Sequence, residues 1–290
     1  MNTETAHIEI LTSEDGMEVV SLRCANAHAQ VFLQGAHVSE YCPSGDENLL
    51  WMSQSANYAL GKAIRGGIPI CWPWFGASPE AAEPQHGVAR QSRFEVVDHQ
   101  IKDAFTSVTL RLDPKALADY VRYAGLELEV EVRLADFLWM EMRTTNHSAE
   151  TKRINDCFHN YFSISDISKT QIPQLEKLTY LDKVQDFKQC EQQRAFLVDQ
   201  EVDRVYQGVG NSVSVIPASD DQLIAIDTWG FENLIVWNPW SMKAKEMSDF
   251  DDFGYQQMIC AEPANATYGS VEIPPGSIHR AGQKIQRRTR

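Results

Sequence analysis

The sequence predicts an all-β fold of large, mostly antiparallel sheets packed face to face. Short segments rich in β-branched and aromatic residues, separated by turn residues, recur along the 290-residue chain. These segments do not alternate with helical segments, as they would in a fold built from parallel strands. No repeat, low-complexity tract or linker divides the chain, so we expect a single domain spanning residues 1–290.

The first half supplies the clearest strand signals. Strands are predicted at 18–22, 29–33, 36–41, 49–52, 94–97, 107–112, 126–134 and 138–145. In 126–134 apolar residues alternate with charged ones without a break, which predicts one buried and one wet face. Ala135 and Asp136 favour a tight hairpin after this strand. Asp113 and Pro114 predict the start of a short helix that reaches Tyr120.

The second half continues in the same style. Strands are predicted at 158–164, 177–181, 213–216, 222–226, 234–237, 258–261 and 270–273, and a short helix at 241–250. The basic tail 286–290 is predicted to be frayed.

Composition limits the classes of partner. The formal net charge is −14 and the pI is about 5.0, so the overall field opposes binding to nucleic acid or to an anionic membrane. The N-terminus has no secretory signal and no apolar run reaches membrane-spanning length. The six cysteines form no Cys-x-x-Cys pair, so neither a zinc site nor a redox dithiol is indicated. These features predict a cytoplasmic protein with reduced thiols.

The stretch Arg65–Arg93 differs from the rest of this acidic chain. It holds four prolines and four glycines, so it is not a regular helix or a central strand. It also carries the arginine Arg90 and the aromatic residues Trp72, Trp74 and Phe75. A long loop of this kind suits a small anionic ligand. The competing interpretation is a buried loop that packs its own tryptophans.

Three motifs in this stretch carry a family resemblance. Arg-Gly-Gly-Ile-Pro at 65–69, Cys-Trp-Pro-Trp-Phe-Gly at 71–76 and Gln-His-Gly-Val-Ala-Arg at 85–90 resemble the signature of the hexose-6-phosphate mutarotases. These are the glucose-6-phosphate 1-epimerases of the aldose 1-epimerase superfamily. The resemblance extends along most of the chain and implies the galactose mutarotase-like supersandwich. It also implies interconversion of the α and β anomers of an aldohexose 6-phosphate, with glucose 6-phosphate as the expected substrate.

His159 and Glu262 are the candidate catalytic pair. Mutarotation needs a base to take the proton of the anomeric hydroxyl and an acid to protonate the ring oxygen. In the resembled family a histidine on a central strand is the acid and a glutamate near the C-terminus is the base. The segments of this chain that match those positions are Asp-Cys-Phe-His-Asn-Tyr-Phe at 156–162, which holds His159, and Glu-Pro-Ala-Asn-Ala at 262–266, which begins with Glu262. Taken singly, His159 also fits a satisfied core histidine, and Glu262 a strand-end carboxylate that reaches solvent.

The resemblance further implies substrate-binding roles for Arg65, Gln85, Arg90 and Asp203. Arginine can hold phosphate oxygens by paired, charge-assisted hydrogen bonds, and Gln85 can donate to and accept from sugar hydroxyls. His86 is a rival to the catalytic histidine, with orienting a neighbour or binding a hydroxyl as the expected role.

Several further residues remain open. Arg93 is expected to be solvated, and Asp227 to pair with a nearby arginine. Trp72, Trp74, Trp237 and Trp240 suit either core packing or stacking on a sugar face.

No cofactor and no metal are expected, because acid–base ring opening needs neither and no dinucleotide or phosphate-loop motif occurs. The expected partner is a small hexose phosphate, and the sequence is compatible with a monomer but does not determine the oligomeric state. Two other functions stay open: an aldose 1-epimerase that acts on unphosphorylated sugar, and a non-catalytic sugar-phosphate-binding protein. Two arginines favour the phosphorylated substrate, and an acid–base pair favours an enzyme.

Overall fold

The computed structural model describes residues 6–78, 80, 83–217, 221–267 and 269–290, and its strands form four antiparallel sheets. The strands are β1 His7–Thr12, β2 Glu18–Cys24, β3 Ala27–Phe32, β4 His37–Pro43, β5 Ile70–Cys71, β6 Phe94–Lys102, β7 Phe105–Leu112, β8 Leu126–Leu134, β9 Leu138–Asn146, β10 Lys152–Ile154, β11 Asp156–Phe158, β12 Tyr161–Ser163, β13 Thr179–Asp182, β14 Lys188–Glu191, β15 Val202–Gln207, β16 Ser212–Val215, β17 Gln222–Trp229, β18 Asn233–Asn238, β19 Met258–Asn265, β20 Val271–Ile273 and β21 Ile278–Thr289.

Helices are few and short. The α-helix α1 spans Trp240–Glu246, and the 3₁₀ segments are Ala89–Gln91, Pro114–Leu117, Val121–Tyr123, Ile167–Lys169, Pro173–Leu175, Lys183–Gln185 and Gly254–Gln257. No helix among the described residues is long and apolar enough to cross a membrane.

Two large sheets dominate the structure. The seven-stranded sheet has the order β16-β17-β21-β9-β8-β7-β6. The eight-stranded sheet has the order β14-β13-β15-β18-β19-β11-β5, and β12 also pairs with β19. A four-stranded sheet, β1-β2-β3-β4, contacts the seven-stranded one through β2 and β3, and β10 pairs with β20. The predicted all-β, mostly antiparallel architecture is confirmed.

The alternation in β8 shows how the pattern becomes a core. Its apolar residues, from Leu126 to Leu134, are all buried, and its charged residues lie on the other face. There Arg143 of β9 forms ion pairs with Glu129 and Glu131. The buried side joins a hydrophobic cluster that includes residues of the eight-stranded and four-stranded sheets, so packing between sheets stabilises the strand. The predicted hairpin after Leu134 is also present, because Leu134 pairs with Leu138.

Several predicted elements differ in detail. Residues 49–52 form isolated bridges, from Leu50 to Phe162 and from Met52 to Gly66, and not a strand. The predicted helix after Asp113 is a single 3₁₀ turn, with the Asp113 carboxylate accepting from the Lys115 amide at 2.9 Å. The predicted helix 241–250 is α1, which begins one residue earlier and ends four residues earlier. These segments are too short for local sequence to set their exact form.

The predicted strand 158–164 is interrupted at His159 and Asn160, between β11 and β12. The Asn160 amide group donates to the Ala261 carbonyl and exchanges hydrogen bonds with Gln283, so these contacts hold the break. The predicted strand 258–261 continues as β19 to Asn265, so Glu262 lies inside a strand and not after its end.

The C-terminal tail was predicted wrongly. Residues up to Thr289 belong to β21, whose residues 282–289 pair with β17. Arg288 also forms an ion pair with Asp227 at 2.8 Å, as expected for Asp227. The charged composition of the tail predicts a disordered terminus, but backbone pairing to a neighbouring strand orders it.

Candidate active site

A cleft of about 610 Å³ opens on the eight-stranded sheet. Its lining includes all seven residues predicted for catalysis or substrate binding: Arg65, Gln85, His86, Arg90, His159, Asp203 and Glu262. Four come from the Pro/Gly-rich loop, one from the break between β11 and β12, and two from β15 and β19. The structure therefore brings these positions together in one cleft.

Sheet register explains why distant residues meet here. Ile235 of β18 lies opposite Glu262 of β19, and Asp203 of β15 lies opposite Trp237 of β18. Residues that lie opposite each other, or two apart on one strand, project from the same face. Cys157 of β11 pairs with Ala264 of β19. The same register would place residue 159 opposite Glu262, where β11 ends.

His159 and Glu262 are in contact at the base of the cleft. The distance from His159 Nδ1 to Glu262 Oε1 is 3.4 Å. Glu262 is 1% exposed and His159 7%. Burial raises the pKa of Glu262 well above its usual range. Burial, together with the charges of Arg90 and other cations, lowers the pKa of His159. Near neutral pH we therefore expect the pair to carry one titratable proton in total.

Packing fixes the orientation of the His159 ring. It stacks on Tyr161 with ring centroids 4.7 Å apart and planes 8° apart. Its edges meet His86 at 5.7 Å and Trp237 at 6.0 Å. Its backbone amide donates to the Pro69 carbonyl at 3.0 Å. Because the ring is held on several sides, the imidazole meets a substrate with little loss of conformational freedom.

The two cleft arginines differ in what they already bind. Arg65 forms a two-point ion pair with Asp249, at 3.1–3.2 Å, and donates to the Tyr161 hydroxyl at 2.9 Å. Arg90 donates to the Gln85 carbonyl at 2.9 Å, and its Nε is buried without a hydrogen-bond partner. Within the described residues Arg90 has no ion pair, so most of its donors remain available to a ligand.

Two lysines also line the cleft, and neither was predicted. Lys183 pairs with Asp203 at 2.8 Å, and Lys243 pairs with Glu201 at 2.5 Å. Together with the Arg65–Asp249 pair, these contacts cancel three of the four positive charges. In the described part of the chain, Arg90 is the one lining cation without an opposite charge beside it. The cleft therefore carries a local positive charge in a molecule whose net charge is −14.

The remaining predicted residues have distinct surroundings. His86 packs edge-on against Phe75 with centroids 4.6 Å apart, and its Nδ1 accepts from the Gly76 amide at 3.4 Å. This bond places the proton of the neutral ring on Nε2. Burial lowers the pKa of His86, so the ring is neutral. Gln85 is exposed at the cleft. Arg93 lies outside it, half exposed and paired with Glu18, as expected for a solvated residue.

The tryptophans divide between core and cleft. Trp72 and Trp74 are buried; their indole N–H groups donate to Thr144 Oγ1 and the Pro84 carbonyl, and neither lines the cleft. Trp237 does line it, whereas Trp240 packs against Tyr255. Core packing is thus the role of Trp72 and Trp74.

Other cleft residues were not predicted as site residues, although Phe75 and Gly76 lie in the Cys-Trp-Pro-Trp-Phe-Gly motif; for most of the others the local sequence carries no signal. They are Phe75, Gly76, Ala77, Asn155, Lys183, Phe187, Ile235, Lys243, Met247 and Thr267. Thr267 directly follows the Glu-Pro-Ala-Asn-Ala motif, and this proximity could have marked it. Asp249, the partner of Arg65, is 184 residues away in sequence, and nothing near it points to that contact.

Among the residues that the structure describes, two groups of side chains could hold a metal ion. His159, Cys260 and Glu262 offer one ligand atom each, all within 4.8 Å of one another. A second such group, on β3 and β4, consists of His28, Glu40 and Cys42. Nitrogen, sulfur and carboxylate ligands of this kind suit zinc. The first group coincides with the candidate acid–base pair, so a metal there would occupy the groups that move protons.

Comparison with known proteins identifies the family. The aldose 1-epimerase family model matches residues 18–286. A protein of Cenchrus ciliaris named "Putative glucose-6-phosphate 1-epimerase" is 34% identical over 285 residues, covering 94% of this chain and 85% of that protein. A protein of Escherichia coli K12 with the same name is 27% identical over 259 residues, covering 87% and 85%.

Solved structures agree on the fold. A "putative mutarotase" (YeaD) of Salmonella typhimurium superposes with a TM-score of 0.89 at 24% identity, covering 100% of this chain and 96% of that one. A galactose mutarotase-like protein of Lactobacillus casei ATCC 334 gives a TM-score of 0.71 at 16% identity, covering 93% and 100%. The predicted galactose mutarotase-like fold is confirmed, and the chain belongs to the aldose 1-epimerase family.

Proposed function

We propose that this protein interconverts the α and β anomers of an aldohexose 6-phosphate, with glucose 6-phosphate as the preferred substrate. The observation that carries the proposal is the buried contact between His159 and Glu262 in a cleft with local positive charge. The names of the relatives point to the same substrate. The reaction needs only proton transfers, so the residues of the chain suffice.

The geometry suits the two proton transfers of ring opening. The anomeric hydroxyl oxygen and the ring oxygen of a hexopyranose are bonded to the same carbon. A base and an acid 3.4 Å apart can therefore serve both oxygens from one side. Glu262 as carboxylate takes the hydroxyl proton, and His159 as imidazolium gives a proton to the ring oxygen as the C–O bond breaks. The open aldehyde rotates about its C1–C2 bond and recloses on the other face, with the proton transfers reversed.

The protonation state of the pair that catalysis uses is the less populated one. Burial favours the neutral carboxylic acid beside the neutral imidazole, whereas catalysis uses the carboxylate beside the imidazolium. Both arrangements hold the same single proton, so substrate groups in the cleft can shift the balance between them. A phosphate bound by Arg90 would offset the cationic charge that disfavours the imidazolium, so a phosphorylated substrate would assist its own acid catalyst.

Asp203 and Arg90 provide the expected substrate contacts. Lys183 holds the Asp203 carboxylate at 2.8 Å, which orients it toward sugar hydroxyls. Arg90 supplies unpaired donors for phosphate oxygens. A neutral sugar gains nothing from that charge, and this favours the phosphorylated substrate over plain aldose.

The test is an anomer-exchange experiment. The purified protein is added to glucose 6-phosphate at equilibrium, and exchange between the anomeric protons is measured by NMR saturation transfer, with glucose measured in parallel. We expect faster exchange for the phosphate ester. Faster exchange for glucose would assign the protein to the unphosphorylated branch, and exchange of neither sugar, with binding retained, would indicate a binding protein.

The predicted single domain and cytoplasmic location remain predictions.

A further inference from the structure

One buried side chain with no part in the proposed proton transfers touches the candidate base. Cys157 Sγ donates to Glu262 Oε2 at 3.5 Å. The register explains the contact: Cys157 lies opposite Ala264, two residues from Glu262 on the same face of β19. The thiol and the carboxylate are therefore diagonal neighbours across β11 and β19.

The thiol is placed to act as a donor. It is 0% exposed, and burial raises the pKa of Cys157 well above its usual range, so the S–H proton stays in place. Cys71 lies directly opposite it on β5. Two acceptors thus lie near the same S–H group, the Glu262 carboxylate and the Cys71 sulfur, and the carboxylate is the stronger acceptor when it is charged.

The carboxylate has few other partners. Among the described residues, Oε1 meets His159 Nδ1 at 3.4 Å, and Oε2 receives only the thiol. A buried carboxylate with so little hydrogen bonding is costly to ionise. A donor on Oε2 lowers that cost and also fixes the rotation of the carboxyl group, so that Oε1 faces His159.

We propose that Cys157 is a positioning residue for this reaction: its S–H group stabilises the charged form of Glu262 and aims the other carboxylate oxygen at the acid. The proposal rests on the proposed function for its catalytic meaning, but not for the hydrogen bond itself. The competing view is that Cys157 only fills space, since buried cysteine packs as a small hydrophobic residue.

The test uses Cys157→Ala, which removes the donor, and Cys157→Ser, which keeps one. The Glu262 carboxyl is followed by ¹³C NMR in protein labelled at glutamate, and its signal is assigned by its loss in Glu262→Gln. We expect the titration midpoint to rise by about one pH unit in Cys157→Ala, as lost hydrogen bonding to the charged form predicts. The Cys157→Ser midpoint should lie at least half a unit below that of Cys157→Ala.

Catalysis should follow the titration. The basic limb of the pH profile of kcat is expected to move upward with the Glu262 midpoint in Cys157→Ala, because the pair loses its single proton there, while KM for glucose 6-phosphate changes less than threefold. Cys24→Ala, which removes a buried thiol of β2, is the packing control and should change neither the Glu262 midpoint nor the pH profile of kcat. If Cys157→Ala does not fold, Cys157→Val replaces it as the variant without a donor.

The outcomes separate the two claims. Equal Glu262 titration midpoints in wild type and in the variant without a donor would overturn the role of Cys157. An equal rise of the midpoint in that variant and in Cys157→Ser would also overturn it, because serine keeps a donor. If wild type exchanges no anomers, the proposed function fails, yet the carboxyl titration still decides whether the thiol stabilises the Glu262 carboxylate.

Discussion

Replacing Arg90 by alanine should separate phosphate binding from sugar binding. Arg90 is the cleft cation without an ion pair in the described part of the chain, and its buried Nε lacks a hydrogen-bond partner. Arg65 is a poorer probe, since its removal would also unpair Asp249 and the Tyr161 hydroxyl. We therefore expect Arg90→Ala to weaken the binding of glucose 6-phosphate and to leave the binding of glucose unchanged.

The size of the effect follows from charge and burial. A unit charge 4 Å from Arg90 gains about 4 kcal/mol at an effective dielectric constant of about 20. Truncating one partner of a desolvated charge pair costs roughly 2–5 kcal/mol. Arg90 is only half-buried by area, so solvent screening favours the lower end. A loss of about 2–3 kcal/mol corresponds to roughly 30- to 150-fold in kcat/KM.

The assay compares kcat/KM for glucose 6-phosphate and glucose in wild type, Arg90→Ala and Arg93→Ala. Arg93 is the matched control, because it lies three residues away, outside the cleft, paired with Glu18 at the surface. We expect the large loss only for Arg90→Ala with the phosphate ester. Equal losses for both sugars would mean that Arg90 supports the fold or the sugar ring, and the phosphate site would lie elsewhere.

Four further outcomes are expected. Glu262→Gln and His159→Asn should each lower kcat by about 10²-fold or more, with smaller changes in KM; wild-type exchange by either variant in the NMR assay would contradict its role. The pH profile of kcat should be bell-shaped and broad, with a plateau across neutral pH, since activity needs one proton on a pair in which burial raises the pKa of Glu262 and lowers that of His159; a rate that changes steeply across neutral pH would contradict this assignment. Chelation by EDTA should leave the rate unchanged, whereas a loss reversed by Zn²⁺ would place a metal on the cluster with Cys260. Burial lowers the pKa of His37 to about 3, so the neutral ring contributes its full stabilisation above its unfolded-state pKa of about 6.5, and this stabilisation is lost as the pH falls, at about 1.4 kcal/mol of unfolding free energy per pH unit. The free energy of unfolding of His37→Phe, measured with urea, should therefore depend less on pH between 6.5 and 5 than that of wild type. Equal dependence would contradict a buried neutral ring.

The sequence by itself determined the fold class and most strands, because alternation of apolar and charged residues is a local property. The stretch from Leu126 to Leu134 appears in the structure as one strand with those bounds. The family motifs likewise marked loop positions that line the cleft, since a Pro/Gly-rich loop with arginines is recognisable from its own residues.

Only the tertiary structure decided how the cleft charges are balanced. Arg65 is neutralised by Asp249, and Asp203 lies on β15 beside Lys183. Such contacts depend on which strands become neighbours and in what register, and the pattern within a strand does not specify its partner.

The same reason accounts for the placement of Glu262 and Cys157. Taken singly, Glu262 fitted a strand end that reaches solvent, yet it lies inside β19, where it is placed by pairing with β18 and β11. Cys157 carried no signal in the sequence, because a thiol becomes a donor to the base only when two strands 105 residues apart are paired. Backbone pairing between distant segments thus turned an ordinary buried cysteine into a neighbour of the candidate base.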